Sequence, residues 1–110
     1  MNVMTCIYPI DGRRECGQTP DTLVGLYPEL GQKRRHYGDL VLLQEHLRDD
    51  HTGWDTPTLQ RQLEQTRRIV TYQGQTREVK DWDNRIQYDR IEWRLPDGTL
   101  WLRLEKNDAL

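Results

Sequence analysis

The chain has two cysteines, Cys6 and Cys16, and two of its three histidines, His46 and His51, stand in the segment LQEHLRDDHTGW. Thiolate sulfur and imidazole nitrogen are the donors a structural zinc ion takes, in a tetrahedral set of four. Such sets commonly place a cysteine pair on a hairpin and a histidine pair on a helix, and the His-x4-His gap falls within the range they use. Cys6, Cys16, His46 and His51 are therefore the candidate metal ligands, with zinc as the expected ion. Four protein ligands leave no open position for a water or substrate, so the expected role is structural. His36 is the alternative to either of the other histidines; otherwise it is a loop residue beside Tyr37. A Cys6–Cys16 disulfide is the reading that an oxidising compartment would require.

The elements that must position these side chains follow from local pattern. CIYPIDGRREC reads as a β-hairpin turning at Asp11-Gly12. Its register decides whether the sulfurs meet. With a strict two-residue turn, residues whose numbers sum to 23 face each other, and Cys6 and Cys16 fall on opposite faces. A three-residue loop, Asp11-Gly12-Arg13, shifts the sum to 24 and makes the sulfurs diagonal neighbours on one face. The zinc reading thus requires a bulged hairpin or a loosened strand near Pro9. Residues 17–32, dense in Gly and Pro, read as an irregular connector with at most a helical turn after Asp21.

YGDLVLLQEHLRDDHTG reads as a helix, capped by Asp39, followed by Gly53, and burying Leu40, Leu43 and Leu47. A second helix starts at Thr56 as N-cap with Pro57 first inside it, and lines one face with Leu59 and Leu63. The period then changes to two. RRIVTYQGQTREVKDW suggests two strands around Gly74, and RIEWRLPDGTLWLRLEK a hairpin. In that hairpin Ile91, Trp93, Leu95, Leu100, Leu102 and Leu104 share one face. Glu92, Arg94, Trp101 and Arg103 take the other, and a bend is expected at Tyr88–Arg90.

The stretch LQEHLRDDHTG resembles the helix and exit of a two-Cys/two-His zinc finger. Leu43 stands three residues before the first histidine, a packing position in that family, and HTG resembles the family's usual exit. The resemblance implies Cys6, Cys16, His46 and His51 as zinc ligands. Nine residues separate the cysteines and 29 separate Cys16 from His46, so the chain would be a long-insert variant of the motif.

Composition narrows the rest. At 110 residues, with 35% hydrophobic and 31% charged residues and no Phe, the core is thin, and small domains of this kind often need a staple. The formal net charge is −2, so no basic balance favours phosphate binding. No apolar run approaches a membrane span, and MNVMTCIYPIDG lacks the pattern of a signal peptide. The expectation is a cytoplasmic, reducing setting. There is no serine in the chain, and no phosphate-binding or nucleophile motif is present. Glu78-Val79-Lys80 and the pair Asp81/Asp83 read as surface and turn residues, and no enzyme or small-molecule substrate is expected.

The fold class expected is α+β: a zinc-finger-like hairpin and helix, a second helix, then an antiparallel sheet of about four strands. Lobes 1–53 and 54–110 are read as one compact domain. The leading function is a non-enzymatic, zinc-stapled module that binds another protein, as an adaptor, inhibitor or assembly component. Trp101 between Arg94 and Arg103 is its candidate contact surface. The alternative is a zinc-finger-type DNA-binding regulator using Lys33, Arg34, Arg35, Arg67 and Arg68. Against it, the helix offers Asp39, Val41, Leu42, Gln44 and Glu45 where a reading helix needs long donors.

Overall fold

In a computed structural model describing residues 2–106, the chain is an α+β fold built on one five-stranded antiparallel sheet. In chain order the elements are β1 (Asn2–Cys6), β2 (Pro9–Asp11), β3 (Arg14–Glu15), α1 (Pro20–Leu26), α2 (Leu30–Tyr37) and α3 (Asp39–His46). A π-helical turn (Leu47–Thr52), α4 (Thr56–Glu64), β4 (Arg67–Tyr72), β5 (Gln75–Val79), β6 (Arg90–Arg94) and β7 (Leu100–Lys106) complete it. The sheet order is β1-β7-β6-β4-β5, with β2-β3 as a separate ribbon.

The four C-terminal strands arise as the alternation predicts. The β4–β5 turn places Gln73 (φ 51°) and Gly74 (φ 78°) in the left-handed region, the geometry of a tight hairpin turn. The fifth strand is a correction. Asn2–Cys6 pairs with β7 from Asn2↔Lys106 to Cys6↔Leu102, so Cys6 ends a strand of the main sheet instead of opening an isolated hairpin. Its backbone is also bonded on the other side, its N–H donating to the Gln18 carbonyl (2.8 Å) and its carbonyl accepting from Gly17 (2.8 Å).

The connector expected over 17–32 is instead α1 and the beginning of α2. Thr19 caps α1: its hydroxyl accepts from the Thr22 N–H (3.2 Å), and the Thr22 hydroxyl accepts from the Thr19 N–H (2.8 Å). Pro20 follows at the first helical position, where its missing N–H costs nothing. His36, read as a loop residue, lies on α2 with Lys33, Arg34 and Arg35. The cap of α4 is Asp55, one residue before the Thr56 expected, accepting from the Thr58 N–H at 2.8 Å.

The apolar face of the sheet carries two cores that meet at Trp93. One joins Cys6, Leu95, Trp101 and Leu102 to helical Leu23, Leu42, Leu43, Leu47 and Leu59. Leu42 takes the buried place expected of Leu40, which is 40% exposed. The other core joins Val70, Val79 and Ile91 to Trp82, Ile86 and Tyr88 from the loop between β5 and β6. That loop bends at Asp89 as expected, where the Asp89 N–H donates to the Thr71 carbonyl (2.8 Å).

Trp101 is the second correction. It is 1% exposed and lies in the first core, not on the polar face. The pairing passes from Trp93↔Leu102 to Arg94↔Leu100, leaving Trp101 as the extra residue of a β-bulge. A bulge breaks the alternation, so Trp101 and Leu102 both turn inward. With Trp101 buried, the proposed contact triad loses its aromatic anchor. Arg94 and Arg103 sit on the charged face, Arg94 paired with Glu78 (2.8 Å) and Arg103 with Glu105 (2.8 Å) and Glu15 (3.3 Å).

Candidate metal centre

Two backbone devices bring the four expected ligands together. The first is hairpin register. Asp11 pairs with Arg14 across a Gly12-Arg13 turn, while Pro9 pairs with Glu15, so Ile10 is bulged out. The Asp11 carboxylate fixes the turn by accepting from the N–H groups of Arg13 (2.8 Å) and Arg14 (3.1 Å). Beyond the bulge the pairing sums to 24, and the Cys16 N–H donates to the Tyr8 carbonyl at 2.9 Å. The turn is shorter than the three-residue loop expected, but the bulge produces the same shift, and both sulfurs face one side.

The second device is the π turn. In an α-helix each residue advances about 100°, so side chains five apart diverge by about 140°. His46 and His51 could not point to one place from a regular α-helix. Over Leu47–Thr52 the helix widens to i→i+5 bonding, which adds a residue to the turn and restores the two rings to one side. The Gly53 N–H donates to the Arg48 carbonyl (2.7 Å), and Gly53 itself (φ 67°) ends the helix in the left-handed region. The Thr52 hydroxyl also donates to the Leu47 carbonyl (3.1 Å).

As a result one donor atom from each of Cys6, Cys16, His46 and His51 lies within 4.8 Å of all the others. His46 Nε2 is 3.1 Å from His51 Nε2 and 3.2 Å from Cys16 Sγ; His51 Nε2 is 3.5 Å from Cys6 Sγ. A regular tetrahedron at ordinary zinc–nitrogen and zinc–sulfur bond lengths has N···N edges of about 3.3 Å and N···S edges of about 3.6 Å. The four donors are thus spaced closely enough to hold a single metal ion. His36 is exposed on α2 and outside this group.

The surroundings orient the donors. His46 Nδ1 is 2.6 Å from an Asp50 carboxylate oxygen. That contact calls for a proton on Nδ1 and leaves the Nε2 lone pair aimed at the cluster, the arrangement a metal-bound imidazole usually has. The His51 ring stacks on Tyr8, centroids 4.6 Å apart and 18° from parallel, and meets His46 edge-on at 84°. Burial pushes the Cys6 thiol up to about 12; the Tyr8 N–H opposes this and the Cys16 sulfur adds to it. Burial, followed by the neighbouring His46, lowers the pKa of His51. A divalent cation held by the four donors would reverse the first shift by binding the thiolate.

The basic residues expected to contact DNA are placed among acids. Lys33 pairs with Glu45 (2.6 Å), Arg34 with Asp21 and Asp39 (2.7 Å each), and Arg67 with Glu78 (3.6 Å). Arg68 lies over the Trp82 ring at 5.4 Å, and Arg35 is exposed. Among the described residues, no helix is long and apolar enough to cross a membrane. Comparison with protein-family models, with curated proteins and with solved structures returns no match to this chain.

Proposed function

We propose that Cys6, Cys16, His46 and His51 hold a structural zinc ion, and that the domain it staples is a non-enzymatic module that binds another protein. The observation that carries this reading is the convergence of the four donors, drawn from two separate parts of the chain. Two thiolates and two imidazoles in a tetrahedral arrangement suit zinc over the harder cations, which prefer oxygen. With all four positions taken by protein, the ion has no site for a water nucleophile, so it braces the fold without doing chemistry. The two thiolates cancel its charge, so it adds no field for an anionic partner. Free thiols at this site fit a reducing compartment such as the cytoplasm.

A protein partner is favoured over DNA because the candidate phosphate contacts Lys33, Arg34 and Arg67 are each engaged by a carboxylate. Cobalt reconstitution tests the metal reading: the two-sulfur, two-nitrogen site should give the intense visible absorption of tetrahedral cobalt with thiolate charge transfer, and zinc should displace it. Pale, octahedral cobalt spectra would overturn it. For the partner class, fluorescence anisotropy on a random-sequence duplex at physiological salt should show no binding at tens of micromolar protein. Salt-sensitive binding below about 10 μM would instead support the DNA-binding alternative.

A further inference from the structure

Beside the metal centre, Leu23, Tyr27, Glu29, Leu30, Leu42, Glu45, His46, Asp49 and Asp50 enclose a groove of about 250 Å³. Its apolar lining is Leu23, Leu30 and Leu42, and the bonded His46–Asp50 pair also lines it. Its rim is acidic. Four carboxylates line it and no lysine or arginine does. Lys33 offsets Glu45 and Arg48 offsets Asp49, but Glu29 and Asp50 have no lysine or arginine partner among the described residues. The lining therefore combines apolar side chains with two carboxylates, Glu29 and Asp50, that no lysine or arginine neutralises.

Size and charge together define what fits. The volume is below the ~300–1,000 Å³ of typical small-molecule sites, so it seats a side chain or two, not a cofactor. Tyr27, which lines the groove, is 50% exposed, and among the described residues Leu26 (61%), Tyr37 (67%) and Leu40 (40%) are further exposed large hydrophobic side chains of the helical layer. All four belong to α1–α3 or their ends, so the helical layer is the side of the molecule that leaves apolar surface uncovered. Resting on the protein-binding reading above, we infer that this groove docks a basic, apolar-anchored segment of a partner protein. One aliphatic or aromatic side chain enters over Leu23 and Leu42, and flanking Arg or Lys residues meet Glu29 and Asp50. Arginine suits these carboxylates best, since its fork can bind a carboxylate through two parallel hydrogen bonds.

Selection of a phage-displayed library of short linear peptides on the zinc-loaded full chain tests this. The enriched peptides should carry Arg or Lys on either side of a Leu, Phe or Trp. A synthetic enriched peptide should bind about tenfold or more weakly to Glu29→Lys and to Tyr27→Ala, weaken with added salt, and bind Glu92→Lys, on the charged sheet face, unchanged. Enriched peptides without basic residues, or binding indifferent to both groove substitutions, would overturn the proposal. Zinc content, measured on each variant, keeps the two readings apart. A metal-free protein that still selects basic peptides contradicts the zinc clasp and leaves the groove standing. A fully zinc-loaded protein with no such preference contradicts the groove alone.

Discussion

The two cores on the apolar face of the sheet are closed in different ways. Over β4, β5 and β6 the cover is the single loop between β5 and β6, whose Trp82, Ile86 and Tyr88 pack onto Val70, Val79 and Ile91. The buried residues of this core and the loop that covers them lie between residues 67 and 91, with Trp93 and Leu104 packed against them. Over β1 and β7 the cover is α1–α3, each of seven or eight residues, and α4 of nine. Isolated helices that short are marginal in water, and α2 buries none of its residues. That half also has to bring the N-terminal strand to the far edge of the sheet, beside β7. The half assembled from short helices and distant strands is the one that carries the four clustered donors. A metal held there would tie the β1–β3 region to the end of α3, adding to the core that Cys6 shares with Leu42, Leu43 and Leu47.

The sharpest way to break this contrast is Cys16→Ser. It should abolish stoichiometric zinc binding and lower the unfolding free energy by more than about 4 kcal/mol, read as a large fall in the urea midpoint. Core truncations should then separate the halves. Leu43→Ala should cost about 3 kcal/mol and Val70→Ala about 2 kcal/mol in chemical denaturation, with zinc content in Val70→Ala unchanged. If Val70→Ala released the metal, the two cores would not be separable as described.

Asp50→Asn should leave the fold intact while weakening zinc about 10- to 100-fold in chelator competition, because the carboxylate that orients His46 is gone. The Cys6 thiol predicts opposite pH trends with and without metal. In the metal-free protein its pKa rises from 9.0 to about 12 on folding. The folded state then holds a proton the unfolded state gives up, so this contribution is complete below pH 9 and declines as the pH rises toward 12. With zinc the thiolate is the bound form, so zinc affinity should increase with pH. Zinc titrations and urea melts across pH read both trends. The smallest effect belongs to the charged face, where Arg94→Gln breaks a half-exposed ion pair with Glu78. It should cost less than about 1 kcal/mol and leave zinc affinity unchanged.

Much of the site was legible because ligand chemistry is carried by residue type. The only two cysteines and a histidine pair at an unusual spacing are visible without coordinates, and the need for a shifted hairpin follows from parity. What was not legible depends on bonding between distant residues or on local departures from the regular period. The bulge at Trp101 is set by the match of β7 against β6, so alternation alone put that side chain on the wrong face. The pairing of β1 with β7 joins the ends of the described chain, and no local signal announces it. The π turn is hidden for a different reason: the i, i+5 spacing of His46 and His51 requires a widened helix, but the requirement shows only once both rings are asked to reach one point. The cap of α1 was present in Thr19-Pro20, obscured because Thr22 stands where a capping box more often has Glu or Gln.

Zinc stoichiometry with a chelator melt is the most direct measurement of the clasp. The purified chain, analysed for metals and followed by circular dichroism as a strong chelator is added, should carry about one zinc per chain. It should lose helical signal and thermal stability as that zinc is withdrawn. A protein that carries no metal after zinc is offered in excess, and melts identically with and without chelator, would contradict the clasp outright.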